Sequence, residues 1–202
     1  MTAREEVLAR VRDAIAPAAG PGAPIPRDYR ADTDDGVDTF VARLHDYRAH
    51  TRRVPAHALD ETVQATLRER CGVARVAAPD GVPQAWLSGL EPLRDTPPLA
   101  PHALDGADGV VTTCAVAIAQ TGTIVLDGGP GMGRRALTLL PDYHLCVVRA
   151  DQIVGRLPQA IPHLEPTRPL TFISGPSATV DIEMVLISGV HGPRQLEVIV
   201  AE

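Results

Sequence analysis

Lysine and asparagine are missing altogether, and all 19 basic residues of this 202-residue chain are arginine. The missing lysine excludes Schiff-base chemistry and the lysine of a Walker-type phosphate loop. Aromatic residues are only 3%, so the core must be built from Val, Leu, Ile and Ala, which the 45% hydrophobic content supplies. The three cysteines, Cys71, Cys114 and Cys146, form no CxxC pair. They match no disulfide framework and no zinc or iron–sulfur signature, and they suit a reducing, cytoplasmic setting. Cys114 and Cys146 lie in apolar patterns typical of inert core thiols. Long apolar runs are absent too, with no window near the ~20 residues that span a bilayer. The opening stretch MTAREEVLARVRDAI is charged from Arg4 onward and lacks the apolar centre of a signal peptide. Net charge is −6, without a basic stripe or clustered aromatics, which argues against nucleic acid as the main partner.

Residues 2–15 read as an amphipathic helix, with Thr2 as N-cap, Glu5 three residues on, and an apolar stripe of Val7, Leu8, Val11 and Ile15. Such a helix docks on a partner, on a second copy, or on its own domain. A Pro- and Gly-rich linker follows up to Gly36, so residues 1–36 form an extension and 37–202 the main domain. Helical spacing resumes over 37–50, through Val37, Phe40, Val41, Leu44 and Tyr47, and again over Ala56–Cys71. VARVAAP reads as a short buried strand, and 80–109 as Pro-rich and irregular with a short helix near Trp86. From Val110 the chain is β-branched and apolar on both faces. Strands then alternate with short helical turns through YHLCVVRADQIV, LTFISG and the final pair, Glu183–Ile187 and Gln195–Val200. This alternation predicts an α/β fold, an open and mostly parallel sheet flanked by helices, with an antiparallel excursion near residue 120.

Four polar, glycine-bearing turns stand at strand ends, where open α/β sheets bind ligands. The first is Gln120-Thr121-Gly122-Thr123. The second, DGGPGMGRR, offers the backbone N–H groups of Gly129, Gly131 and Gly133 beside Arg134 and Arg135, a set suited to a carboxylate or phosphate. The third brings Ser174, Gly175, Ser177 and Thr179 ahead of Asp181 and Glu183, and the fourth carries His191. If the four converge, they ring one cleft for a small anion. The alternative reading is structural throughout: glycines for tight turns, solvated arginines, hydroxyls capping a helix, and a surface histidine. His144, beside Tyr143 at a strand start, reads as a structural hydrogen-bonding residue. No histidine has a metal-ligand partner at the usual spacing.

Three stretches, CAVAIAQTGTIVLDGGPGMGRRALTLLPDYHLCVV, TFISGPSATVDIE and GVHGPRQLEVIV, resemble in order and spacing the lactate utilization (LUD) domain family. The resemblance runs from Asp108 to the end, and more loosely includes the N-terminal helix and linker. It implies a fold of the NagB/RpiA/CoA-transferase-like group. It also implies a place in a three-component system that oxidises L-lactate to pyruvate, with two iron–sulfur proteins as partners. Any clusters then belong to those partners, and this chain is an accessory, cofactor-free subunit. One position departs from the family. Relatives commonly carry glutamate before the T-G-T turn, where this chain has Gln120. An amide cannot form an acyl-glutamyl intermediate, which weighs against the alternative, a self-sufficient enzyme of CoA-transferase type acting on a small anionic substrate.

Overall fold

The computed structural model describes residues 2–15, 24–30, 33, 35–71, 75–180, 186–189 and 191–202, with the backbone alone at 179, 180 and 186–188. Of the linker expected up to Gly36, residues 16–23, 31, 32 and 34 lie outside them.

Helix α1 (Ala3–Ile15) starts as the sequence indicates. The Thr2 N–H donates to Glu5 Oε2 at 2.7 Å and the Glu5 N–H returns to Thr2 Oγ1 at 3.3 Å, a reciprocal cap. None of its residues is buried, and Val7, Leu8, Val11 and Ile15 are exposed. Helix α2 (Val37–Asp46) buries Phe40 and Leu44 but stops four residues short of the expected position 50. Its end is a Schellman turn. Arg48 N–H donates to His45 O at 2.8 Å and Ala49 N–H to Leu44 O at 2.9 Å.

That stop releases strand β1 (His50–Val54), which no pattern in the sequence announces. The HTRRV segment has no apolar alternation, because β1 is an edge strand whose polar side chains bond to its neighbours. It runs parallel to β12 (Gln195–Ala201), with His50 opposite Glu197 and Val54 opposite Ala201. Strands β2 (Arg75–Ala78), β3 (Glu91–Arg94), β4 (Gly109–Thr112) and β7 (Tyr143–Arg149) complete a six-stranded sheet ordered β1-β12-β7-β4-β2-β3. Every pairing in it is parallel.

Alternation along β12 shows why two layers cover this sheet. Leu196, Val198 and Val200 point to one face, where they meet Phe40 and Leu44 of α2 and Ala117, Ile124 and Leu126. Ile199 points to the other, among Val63 and Leu67 of α3 (Leu59–Cys71), Trp86, Leu145 and Val147. Each such side chain contributes about 1.5–3 kcal/mol on burial.

The first face is roofed by a smaller sheet, ordered β8 (Ile153–Val154), β5 (Val116–Ile118), β6 (Thr123–Leu126), β9 (Thr171–Ile173). β5 and β6 pair antiparallel, so the excursion near residue 120 is present. Between them Gly122 holds a left-handed φ of 60° against α2, where a Cβ would come within 2.7 Å of Arg43 Cβ. Strands β10 (Ala178–Val180) and β11 (Leu186–Ser188) form a separate antiparallel pair. Short helices α4 (Pro101–Asp105) and α5 (Leu157–Ala160) close the remaining crossovers. The open, mostly parallel α/β arrangement expected from the sequence is borne out. Among the described residues no helix is long and apolar enough to cross a membrane.

Candidate functional site

The register of the large sheet places His144 of β7 opposite Leu196 of β12, each the second residue of its strand. Over them, on the face roofed by the small sheet, opens a hollow of about 460 Å³. Tyr47 at the end of α2, Arg135, His144, Ser174, Ser177 and His191 supply its polar groups. Phe172, Ile173 and Leu196 supply apolar wall.

Hydrogen bonds tie the turns around it together. Thr121 Oγ1 lies 2.7 Å from Thr123 Oγ1, which lies 2.7 Å from Ser174 Oγ, so a chain of hydroxyls ends at the hollow. The His191 N–H donates to Ser177 Oγ at 3.0 Å, and the Ser177 N–H donates to Pro193 O at 2.8 Å. Arg135 opens the 3-10 turn Arg135–Thr138 and spends Nη1 on Thr138 O and Oγ1, both at 3.0 Å. Among the described residues no carboxylate pairs with it. At the floor, His144 Nε2 lies 2.8 Å from Thr112 Oγ1. Burial, and then the nearby charge of Arg135, push the His144 imidazole down to a pKa of about 3. It is neutral at any working pH. The hollow therefore combines a guanidinium unpaired within the described chain, hydroxyls, two imidazoles and a short apolar wall. That set suits a small carboxylate bearing a further oxygen.

The structure divides the residues singled out from the sequence. Arg135, Ser174, Gly175, Ser177 and His191 line the hollow, while Thr121 and Thr123 support Ser174 from behind. Gln120 is exposed on a 3-10 turn, its N–H bonded to Gly155 O at 3.0 Å, and does not line the hollow; neither does Gly122. Thr179 stands opposite Ile187 in the antiparallel pair of β10 and β11. Asp181 and Glu183 lie outside the described residues.

The glycine turn stands elsewhere, so the four turns do not ring one cleft. Gly129 and Gly133 line a separate hollow of about 360 Å³ with Pro79, Asp80 and Asp95, at the carboxyl ends of β2 and β3. Gly131 is locked between neighbours, its N–H donating to Asp80 O at 2.6 Å and its carbonyl accepting from Thr113 N–H at 2.8 Å. Arg134 grips Asp95 through Nε and Nη2 at 2.7 and 2.9 Å and also reaches Leu99 O at 2.7 Å. That hydrogen bonding holds the Asp95 carboxyl below the usual carboxylate range. The backbone at Arg134 is extended, so adjacent arginines leave on opposite sides: Arg134 to the carboxyl ends and Arg135 to the hollow.

Sequence reasoning missed Tyr47, Thr138, Phe172, Ile173 and Leu196, and saw in His144 only a structural role. His144 does make the expected structural bond, but it also lines the hollow. Tyr47 has no signal in its own neighbourhood, since only the packing of α2 brings it here. Cys114 and Cys146 sit in the core, as their apolar surroundings in the sequence indicate. Burial pushes the Cys71 thiol up to about 11. Among the described residues no group of three or more His, Cys, Asp or Glu side chains is placed to hold a metal ion.

Known proteins share this sequence pattern and fold. A family model for the LUD domain matches residues 101–201. Lactate utilization protein C of Deinococcus radiodurans is 45% identical over 207 residues, covering 98% of this chain and 95% of the relative. The protein of the same name from an Exiguobacterium species is 30% identical over 81% of this chain and 76% of its own length. A crystal structure of a DUF162-family protein from Deinococcus radiodurans superposes with a TM-score of 0.70 at 44% identity, covering 82% of this chain and 95% of that one. The chain belongs to the LUD-domain family.

Proposed function

We propose that this protein serves lactate utilization as the cluster-free subunit of a cytoplasmic L-lactate-oxidising system, holding the small 2-hydroxy or 2-oxo acid in the hollow over His144. The observation that carries the reading is Arg135, a guanidinium without a carboxylate partner among the described residues, facing hydroxyls and a neutral imidazole. The names of its relatives support the lactate assignment. Arg135 takes the carboxylate in a bidentate grip, Ser174 and Ser177 bond its remaining oxygens, and the apolar wall receives the methyl group. The sequence contains no cluster motif and no nicotinamide or flavin fingerprint. The two electrons and two protons released when lactate becomes pyruvate therefore pass to partners, here two iron–sulfur proteins.

Calorimetry with L-lactate and pyruvate tests the site. Arg135→Ala should weaken binding at least tenfold, the usual worth of a hydrogen bond to a charged group. Unchanged affinity would remove the hollow from consideration. Pull-down from lactate-grown cells should recover two cysteine-rich iron–sulfur proteins. The purified chain should not reduce dyes with lactate; if it does, the accessory role is wrong and a self-sufficient enzyme replaces it.

A further inference from the structure

A third hollow, of about 530 Å³, wraps the start of edge strand β1 and is lined by His45, Arg48, His50, Arg52, Arg70 and Glu197. On a chain of net charge −6 this concentration of cations stands out. Glu197 is the brace beneath it. Its side chain is 1% exposed, and it accepts from Arg52 Nε at 2.7 Å, Arg70 Nε at 3.1 Å and the Tyr143 hydroxyl at 3.1 Å. One buried carboxylate thus fixes two guanidiniums at the rim. Glu69 also pairs with Arg52, at 3.0 Å, and Asp46 is taken by Arg43 at 3.1 Å. Three guanidiniums then face two carboxylates, Glu197 and Glu69, before His45 and His50 are counted. Among the described residues Arg48 has no carboxylate partner.

Arg48 is the informative residue. It occupies the left-handed position of the Schellman turn that ends α2, with φ 62°, the only non-glycine residue with positive φ among those described. Glycine is the usual occupant there, and a side chain carries a steric cost. An arginine held in that conformation, with its charge beside two pre-positioned guanidiniums, marks a position where the side chain serves something other than the turn.

We propose that this hollow is an anion site for a phosphate group, with Arg48 as its anchor and Arg52 and Arg70 as the preset pair. Three guanidiniums lining one hollow offer more donors than a carboxylate's two oxygens can use, and match a tetrahedral dianion. The site is distinct from the hollow over His144 and does not rest on the lactate reading.

The test uses the full chain with inorganic phosphate and pyrophosphate as probes, against sodium chloride at matched ionic strength. Phosphate should raise the melting temperature in a saturable way that chloride does not reproduce. Arg48→Gly should move two readouts in opposite directions: a higher melting temperature without phosphate, as the strain is relieved, and phosphate affinity reduced tenfold or more. Arg48→Asn, which also tolerates the left-handed region, should give the same split. Arg135→Ala should leave the phosphate effect intact. The proposal is overturned if wild-type protein shows no phosphate-specific shift, or if Arg48→Gly and Arg48→Asn keep full phosphate affinity. It is equally overturned if Arg135→Ala, rather than the Arg48 variants, abolishes the effect. Lactate affinity in Arg48→Gly reads the other hollow separately, so the two ideas can fail independently.

Discussion

Thr112 Oγ1 and His144 Nε2 meet at 2.8 Å across the parallel pair β4 and β7, with both side chains shut away from solvent. The bond pins an imidazole at the floor of the carboxylate hollow, tying the amino end of β7 to the carboxyl end of β4. Burial and the adjacent Arg135 keep the ring unprotonated, so it acts as a neutral hydrogen-bonding group beside a fixed positive charge.

That neutrality has a pH signature. His144 has a folded pKa of about 3, against about 6.5 in an unfolded chain. Between these values the unfolded chain binds a proton that the folded chain refuses. The contribution is therefore complete above about pH 6.5 and is lost as the pH falls toward 3, by an amount on the order of a few kcal/mol. His144→Gln keeps a partner for Thr112 but cannot be protonated. Its melting temperature should fall less steeply than wild type over that range, and parallel curves would clear His144 of responsibility.

Arg134, read from the sequence as a candidate ligand residue, is engaged as a brace between the glycine turn and the segment after β3. Arg134→Ala should cost about 1 kcal/mol at neutral pH; the arginine side chain is 38% exposed, so solvent screening trims the larger value of a buried pair. The hydrogen bond from Arg134 holds the Asp95 carboxyl down. Its contribution is present above the ordinary carboxylate range and is lost as pH falls through the lowered folded value. The stability gap between Arg134→Ala and wild type should accordingly close in acid. Lactate affinity should stay at the wild-type level, and a drop would return Arg134 to the binding site.

Gly131 tests whether the glycine turn is a matter of backbone fit. Its φ is +78°, and a Cβ there would overlap Thr113 Oγ1. Gly131→Ala should destabilise by about 2 kcal/mol or more, combining left-handed strain with overlap. Adding Thr113→Ala removes the overlap and should recover part of the loss. If the single variant melts like wild type, the turn is slack and the fit is not what holds it.

The parts of the fold legible from sequence are those whose own residues carry a period. The Thr2–Glu5 cap, the Phe40–Leu44 stripe and the apolar runs at 143–148 and 195–200 announce elements through local propensity and burial on both faces. β1 gave no such sign. Its arginines serve partners remote in sequence, with Arg52 on Glu197 and Arg53 on Asp38 and Glu202, and no local pattern encodes a bond across the chain.

The same division holds for the candidate site. Composition alone barred lysine chemistry, and the turn sequences marked Ser174, Ser177, His191 and Arg135 as chemistry-bearing. Which of them meet was decided by packing. Parallel pairing sets His144 level with Leu196, and the roof of β5, β6 and β9 carries Ser174 over them. The extended backbone at Arg134 sends neighbouring arginines to opposite ends of the sheet. Residue type is a local property that the sequence states outright. Convergence depends on strand order and register, which arise only when distant segments bury their apolar faces together.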